Sequence, residues 1–381
     1  MSARKKAVPE GWTFTVSRSD MTAALARVEP ARHTGGNPIL HGVHIEATGS
    51  ALNLTATNMD LRISTTIEAT GDAGTVIVAV EMLSRLLSKK GTPELVFTVG
   101  EDAVHLTSGR AAASVPIIKD FDGDWPTFPQ LKGAKVVTLT EDYLTAIGRV
   151  RWAASHDNTK LAILHGVVFD GTTVYAVDGN KMACHPIGSA LCDDVIVVPG
   201  DVLGHVLKHA GDGGVKAKVG SNKVMFKAGD TTWTVGLLTG EPAKIEAIIK
   251  AGSKSERVTV NVAEMLETLD RMTAVLDGPK DITPLVATIT DNTITIRRAS
   301  AEMGHIIEDV PADTGGVTLE AFGLQLSLFH AMLSACNEDD AAIGFGTGLM
   351  PILLQDGDLT AVIMPVRLTA AWRELAMRDA A

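Results

Sequence analysis

Residues 12–28 read WTFTVSRSDMTAALARV, residues 135–150 read KVVTLTEDYLTAIGRV, and residues 257–272 read RVTVNVAEMLETLDRM. Each opens with alternating apolar residues, the period of a strand with one buried face. Each then sets a polar or acidic residue ahead of an apolar run at helical spacing, which marks an N-cap and a first helical turn. Each closes on an arginine followed by an apolar residue: Arg27-Val28, Arg149-Val150 and Arg271-Met272. Successive arginines are 122 residues apart, so the three segments are copies of one unit.

A second set keeps the period. VIVAVEMLSRLL (76–87) resembles VIVVPGDVLGHVL (195–207), and VTLEAFGLQLSLFHAML (317–333) repeats the strand-then-helix order more weakly. Between them lie short alternating stretches bounded by Gly, Asp or Asn, such as LHGVHIEAT, ALNLTAT and AVHLTSG. That is the mark of antiparallel meanders. Helices occur at two places per copy and not after every strand, so the expected class is α+β, with two helices packed on antiparallel sheets in each copy. The expected domains are 1–132, 133–254 and 255–381, the last with an extension at 369–381.

Composition limits the function. The 381 residues carry 34 Lys+Arg against 45 Asp+Glu, a net charge of −11, which argues against a whole-surface coat on nucleic acid. With 5 Trp, 2 Tyr and 9 Phe, stacking platforms for bases are scarce. Cys184, Cys192 and Cys336 cannot make a disulfide framework and suit a reducing cytoplasm. The start, MSARKKAVPEGW, lacks the apolar core of a secretory signal.

Enzyme signatures do not assemble. GFGTGL (344–349) is followed by a strand-like LMPILLQDG, where a dinucleotide site needs a helix, so it reads as a turn. DFDGD (120–124) lacks the closing Glu of a calcium loop. His205 and His209 share a helical spacing but have Lys208 beside them, which favours a solvated face over a metal site. No nucleophile, base and oxyanion site converge, and no cofactor is expected.

The cations gather on the repeated helices: Arg27, Arg85, Lys89 and Lys90 in the first copy, Arg149, Arg151, Lys208 and His209 in the second, and Arg271 in the third. On a common surface they would meet phosphates without reading bases. The third copy is the poorest, because Arg271 sits among Glu264, Glu267, Asp270 and Asp277.

At this point the chain resembles the bacterial DNA polymerase III beta subunit, the sliding-clamp family. The resemblance rests on the threefold repeat, on TGGNPILHGVHIEATGSALNLTATNMDLRIS, SGRAAASVP and VYAVDGNKMA, and above all on VIMPVRL (362–368), similar to the family's Met-Pro-x-Arg-Leu ending. It implies head-to-tail homodimers whose six domains form a ring around double-stranded DNA. The ring would tether the polymerase alpha subunit and clamp-loader subunits without catalysis.

The resemblance also implies a pocket for an extended partner peptide, made by Leu164, Val177, Gly179, Asn180, Lys181, Met182 and Pro242 together with Val362, Met364, Pro365, Val366, Arg367 and Leu368. It places Ala113, Val115 and Val275 at the dimer interface. The chain departs from the family at Lys181, where arginine is usual, at Val177, where threonine is usual, and in the helix-prone extension Thr369–Ala381, which could lie over the pocket or beside it. A paralogue or phage clamp serving as a partner-binding scaffold or drug-tolerance factor is the alternative.

Overall fold

The structure is a computed structural model that describes residues 11–33, 35–119, 125–128, 131, 134–211, 213–253, 255–275, 283–300, 304–346 and 350–377. The DFDGD stretch at 120–124 and the end of GFGTGL therefore lie outside the described residues.

One order of elements recurs three times. The first run is β1 (Trp12–Ser17), α1 (Arg18–Val28), β2 (Gly42–Thr48), β3 (Ala51–Thr57), β4 (Leu61–Glu68), β5 (Thr70–Gly71), β6 (Ala73–Ala79), α2 (Val80–Leu87), β7 (Glu94–Val99), β8 (Ala103–Ser108) and β9 (Ala111–Pro116). The second is β10 (Val136–Leu139), α3 (Glu141–Val150), β11 (Gly166–Asp170), β12 (Thr173–Val177), β13 (Lys181–Pro186), β14 (Ile196–Pro199), α4 (Gly200–Lys208), β15 (Val215–Val219), β16 (Lys223–Ala228), β17 (Thr231–Gly236) and α5 (Glu246–Gly252). The third is β18 (Glu256–Asn261), α6 (Val262–Met272), β19 (Leu285–Thr290), β20 (Thr293–Ser300), β21 (Gly304–Asp313), β22 (Leu319–Leu324), α7 (Leu326–Leu333), β23 (Asp340–Phe345), β24 (Ile352–Asp356), β25 (Leu359–Ile363) and α8 (Ala370–Met377). The protein is α+β and its strand pairs are antiparallel.

The repeated segments fold as their pattern dictates. Ser17 Oγ accepts from Asp20 N at the start of α1, and Asn261 Oδ1 accepts from Glu264 N at 3.1 Å at the start of α6. These side chains satisfy amides that have no partner in the first turn. Met21, Ala24, Leu25 and Val28 form the buried stripe of α1, and Tyr143, Ala146, Ile147 and Val150 that of α3. Met265, Leu269 and Met272 do the same for α6. This is the i, i+3, i+4, i+7 spacing of one helix face.

The chain divides into two compact units, residues 1–139 with 208–236 and residues 140–207 with 237–381. The first unit holds a sheet ordered β5-β1-β7-β8-β9 and a second ordered β10-β15-β16-β17-β4-β3-β2-β6. The second unit holds one sheet ordered β14-β11-β12-β13-β25-β24-β23-β18-β21-β20-β19-β22. The division runs through the middle run of elements because that run pairs in both directions. β17 pairs with β4 of the first run, with Trp233 opposite Ile63, and β13 pairs with β25 of the third, with Met182 opposite Val362.

Applying the same rule to the remaining equivalents singles out two edges. β9 corresponds to β17 and β25, and it ends its sheet. β21 corresponds to β4 and β13; it pairs with β20 along its length but with β18 only at Ala312 and Asp313. Along 304–310 one side of β21 is therefore unpaired among the described residues, and Ile307 there is 38% exposed.

Candidate functional site

The join of β13 and β25 in the second unit carries the residues expected in the partner pocket. The register sets Val177 opposite Met182 and Met182 opposite Val362. All three lie on one face of the sheet with Val168, Tyr175 and Cys184, and Leu164 packs against this cluster. The face is apolar because alternate residues of each strand share it. Met364 extends the join through its amide, which donates to Asn180 O at 2.8 Å.

The turn between β12 and β13 is held by Asp178, whose Oδ1 accepts from Asn180 N at 2.9 Å and Lys181 N at 3.1 Å. Gly179 sits at φ +93°, a conformation that side chains with a Cβ rarely adopt. Gly179 and Asn180 are exposed on this turn.

Lys181 is a correction. Its strand position points it away from the face of Met182, and its Nζ donates to Trp152 O at 2.7 Å and lies 3.9 Å from Asp178. Burial lowers its pKa, partly offset by the Asp178 carboxylate. It braces the turn and does not line the apolar face.

The expected pocket residues share a sheet join without sharing one cavity. Pro242 lines a cavity of about 670 Å³ with Tyr175, Cys184, Ile245 and Ile249, rimmed by Asp170, Glu246 and Asp358. Val366, Arg367 and Leu368 line another of about 430 Å³ with Phe322, Gly323 and Arg373. Burial pushes the Cys184 thiol up to about 11 and the Tyr175 hydroxyl up to about 12, so both are protonated at neutral pH. The missed residues are Ala243, Ile245, Ile248 and Ile249, which pack on the same face. Their sequence signal is the apolar run IEAII directly after TGEPAK.

The nine expected phosphate contacts meet different fates. Lys89, Lys90 and Lys208 are exposed, and Arg27 and Arg151 are half-buried. Arg85 is exposed but forms an ion pair with Glu81 one helical turn away. Arg149 is a correction: it is buried, its Nε donates to Ala335 O at 2.9 Å, and its guanidinium pairs with the buried Asp356 carboxylate. His209 is half-buried and packs edge-on against Trp233 with ring centroids 6.0 Å apart. Arg271 is a second correction: its Nε and Nη2 both bond Glu308 at 2.8 Å, which pairs its charge within its own run.

At the expected interface, Ala113 is half-buried on the edge strand β9. Val115 is only 1% exposed, so its side chain already belongs to its own core. Val275 closes a short turn after α6, and its side chain lies outside the described residues.

Comparison with known proteins bears on this geometry. Residues 12–129 match the family model described as DNA polymerase III beta subunit, N-terminal domain. The beta sliding clamp of Bacillus subtilis is 25% identical over 358 residues, covering 87% of this chain and 92% of the relative. The chain resembles the beta sliding clamps along most of its length.

Solved clamps share the fold. The sliding clamp of Bartonella birtlesii, bound to griselimycin, aligns with a TM-score of 0.81 at 20% identity, over 94% of this chain and all of that one. The Bacillus subtilis clamp aligns with a TM-score of 0.79 at 21% identity and the same coverage. Among the described residues no helix is long and apolar enough to cross a membrane.

Proposed function

We propose that the chain is a non-catalytic clamp of cytoplasmic DNA replication: a head-to-tail homodimer that closes around duplex DNA and tethers a polymerase and its loader through short peptides. One observation carries the ring. The three runs of elements act as three domains, and each join is made by the same strand pairing, β4 with β17 and β13 with β25. The two strands left over are β21 and β9. Pairing the 304–307 edge of one protomer with the 111–114 edge of another continues the series, and doing so twice closes it.

The β9 edge reads Ala-Ala-Ala-Ser at 111–114, so the interface gains little from side-chain burial there and depends on backbone pairing and on Ile307. Light scattering tests this reading. The expected mass is twice the 40.1 kDa of one chain, and Ile307→Asp shifts it toward one. A wild-type mass of one chain at micromolar concentration contradicts it.

Contact with DNA falls to Arg27, Lys89, Lys90, Arg151 and Lys208, with Arg85 shared with Glu81. A closed ring holds DNA by topology, so a few diffuse phosphate contacts suffice and an acidic chain is no obstacle. Leu164 and Met364, half-buried beside the closed cluster of Val177, Met182 and Val362, would bury a leucine or phenylalanine of the partner peptide, at ~1.5–3 kcal/mol per side chain.

A further inference from the structure

In each run of elements the chain leaves its last strand and crosses back over that run's own sheet, fixed by an equivalent backbone hydrogen bond. Ile118 N donates to Ile77 O on β6, Leu238 N to Val197 O on β14, and Val366 N to Gly323 O on β22, each at 2.9 Å. All three acceptors lie on the strand that leads into the run's second helix.

Beyond that bond the first two crossings cover apolar surface. Ile118 and Trp125 pack on Ile39, Leu40 and Ile77. Leu238, Ala243 and Ile248 pack on the cluster of Val168, Tyr175 and Val197. Both segments also connect to the next run.

The third crossing continues in the same way past its own bond. Leu368 lies so close to Gly323 that a Cβ there would stand 2.9 Å from Leu368 Cδ2 and would collide with Val366 O. Thr369 Oγ1 then accepts from Trp372 N at 3.2 Å and opens α8, which packs against β19 and β20. The helix α6 holds one face of those strands, because Arg271 bonds Glu308, which stands opposite Ile296. The opposite face carries Val286 and Ala299, 0% and 5% exposed.

We propose that 369–377 is the third run's counterpart of the connectors, and that by covering this face it positions the terminal stretch Met364–Leu368 of the partner pocket instead of lying over the pocket. This rests on the pocket reading above only for its effect on peptide binding; the anchoring of Val366 and Leu368 stands on the fold.

Amide exchange and peptide affinity, measured on the full chain and on a chain lacking 369–381, separate the two. The probe is a short synthetic peptide carrying a Leu-Phe pair. Deletion is expected to speed exchange of the Val366 amide about tenfold or more, since its local opening loses a restraint. It is also expected to weaken peptide binding about tenfold, because the pocket is then correctly placed only part of the time. Gly323→Val, which displaces the same stretch with the tail intact, should reproduce the loss of affinity. Unchanged Val366 exchange on deletion, or an affinity that stays level or rises, overturns the proposal. If the full chain binds no peptide while deletion still speeds Val366 exchange, the pocket reading fails and the anchoring role is upheld.

Discussion

Arg149, at the end of α3, and Asp356, at the turn between β24 and β25, form an ion pair buried on both sides, with 10% and 1% of their side chains exposed. The second Asp356 oxygen is not idle: Glu338 N donates to Oδ1 at 3.1 Å, and Asn337 N donates to Oδ2 at 2.9 Å. The pair ties the second run of elements to the third, beside the β13–β25 join.

Removing one partner leaves the other charge buried and uncompensated. Arg149→Met is expected to cost about 3–5 kcal/mol of stability, read from the midpoint of urea unfolding. Combining it with Asp356→Asn should cost less than the two changes added, because both act on one contact. Additive losses would show that the pair is not the source.

The fates of Arg27, Arg149 and Arg271 show where reading the sequence stops. The 122-residue period made them equivalent and placed the helices, their buried stripes and the caps of α1 and α6 correctly, whereas Thr140 makes no cap bond at α3. What each guanidinium meets depends on residues far away in the chain. Asp356 lies 207 residues from Arg149, and Glu308 lies 37 from Arg271. Strand order across the joins was likewise invisible, since alternation marks a strand without naming its neighbour. Of the residues that family likeness selected for the pocket, Leu164, Val177, Met182 and Val362 gather in one apolar cluster. Lys181 does not, because one step along a strand reverses the side chain.

That reversal is testable. Met364→Ala should weaken binding of a Leu-Phe peptide about tenfold, the loss of roughly 1.4 kcal/mol of contact. Lys181→Met, which keeps the apolar stem, should leave peptide affinity within twofold, as the ammonium faces Trp152. A large loss at Lys181 with none at Met364 would reverse the assignment.

On DNA, the exposed cations should separate from the paired ones. Lys89→Ala with Lys90→Ala should lower the salt dependence of DNA binding by about one unit of slope per lysine. Arg271→Ala should leave the slope unchanged, because Glu308 already neutralises it. Equal effects at both places would contradict this division.

His44 stacks on Trp125 with ring centroids 5.1 Å apart. Burial lowers its pKa from 6.5, Glu46 opposes the shift, and Arg62 adds to it. A histidine whose folded pKa is depressed contributes stability above its unfolded pKa, and that contribution is lost as pH falls through the folded value. Thermal stability should therefore drop below pH 6.5, and His44→Gln should flatten that drop. Trp125 fluorescence across the same range reports the titration directly.

The proposed dimer closes into a ring around DNA. Its most direct test is retention on a nicked circular plasmid compared with the same plasmid cut once, after the dimer has been re-formed in the presence of DNA and passed through a sizing column in high salt. Protein should stay with the circle and be released when the DNA is linearised. Equal loss from both forms, or equal retention on both, would contradict it.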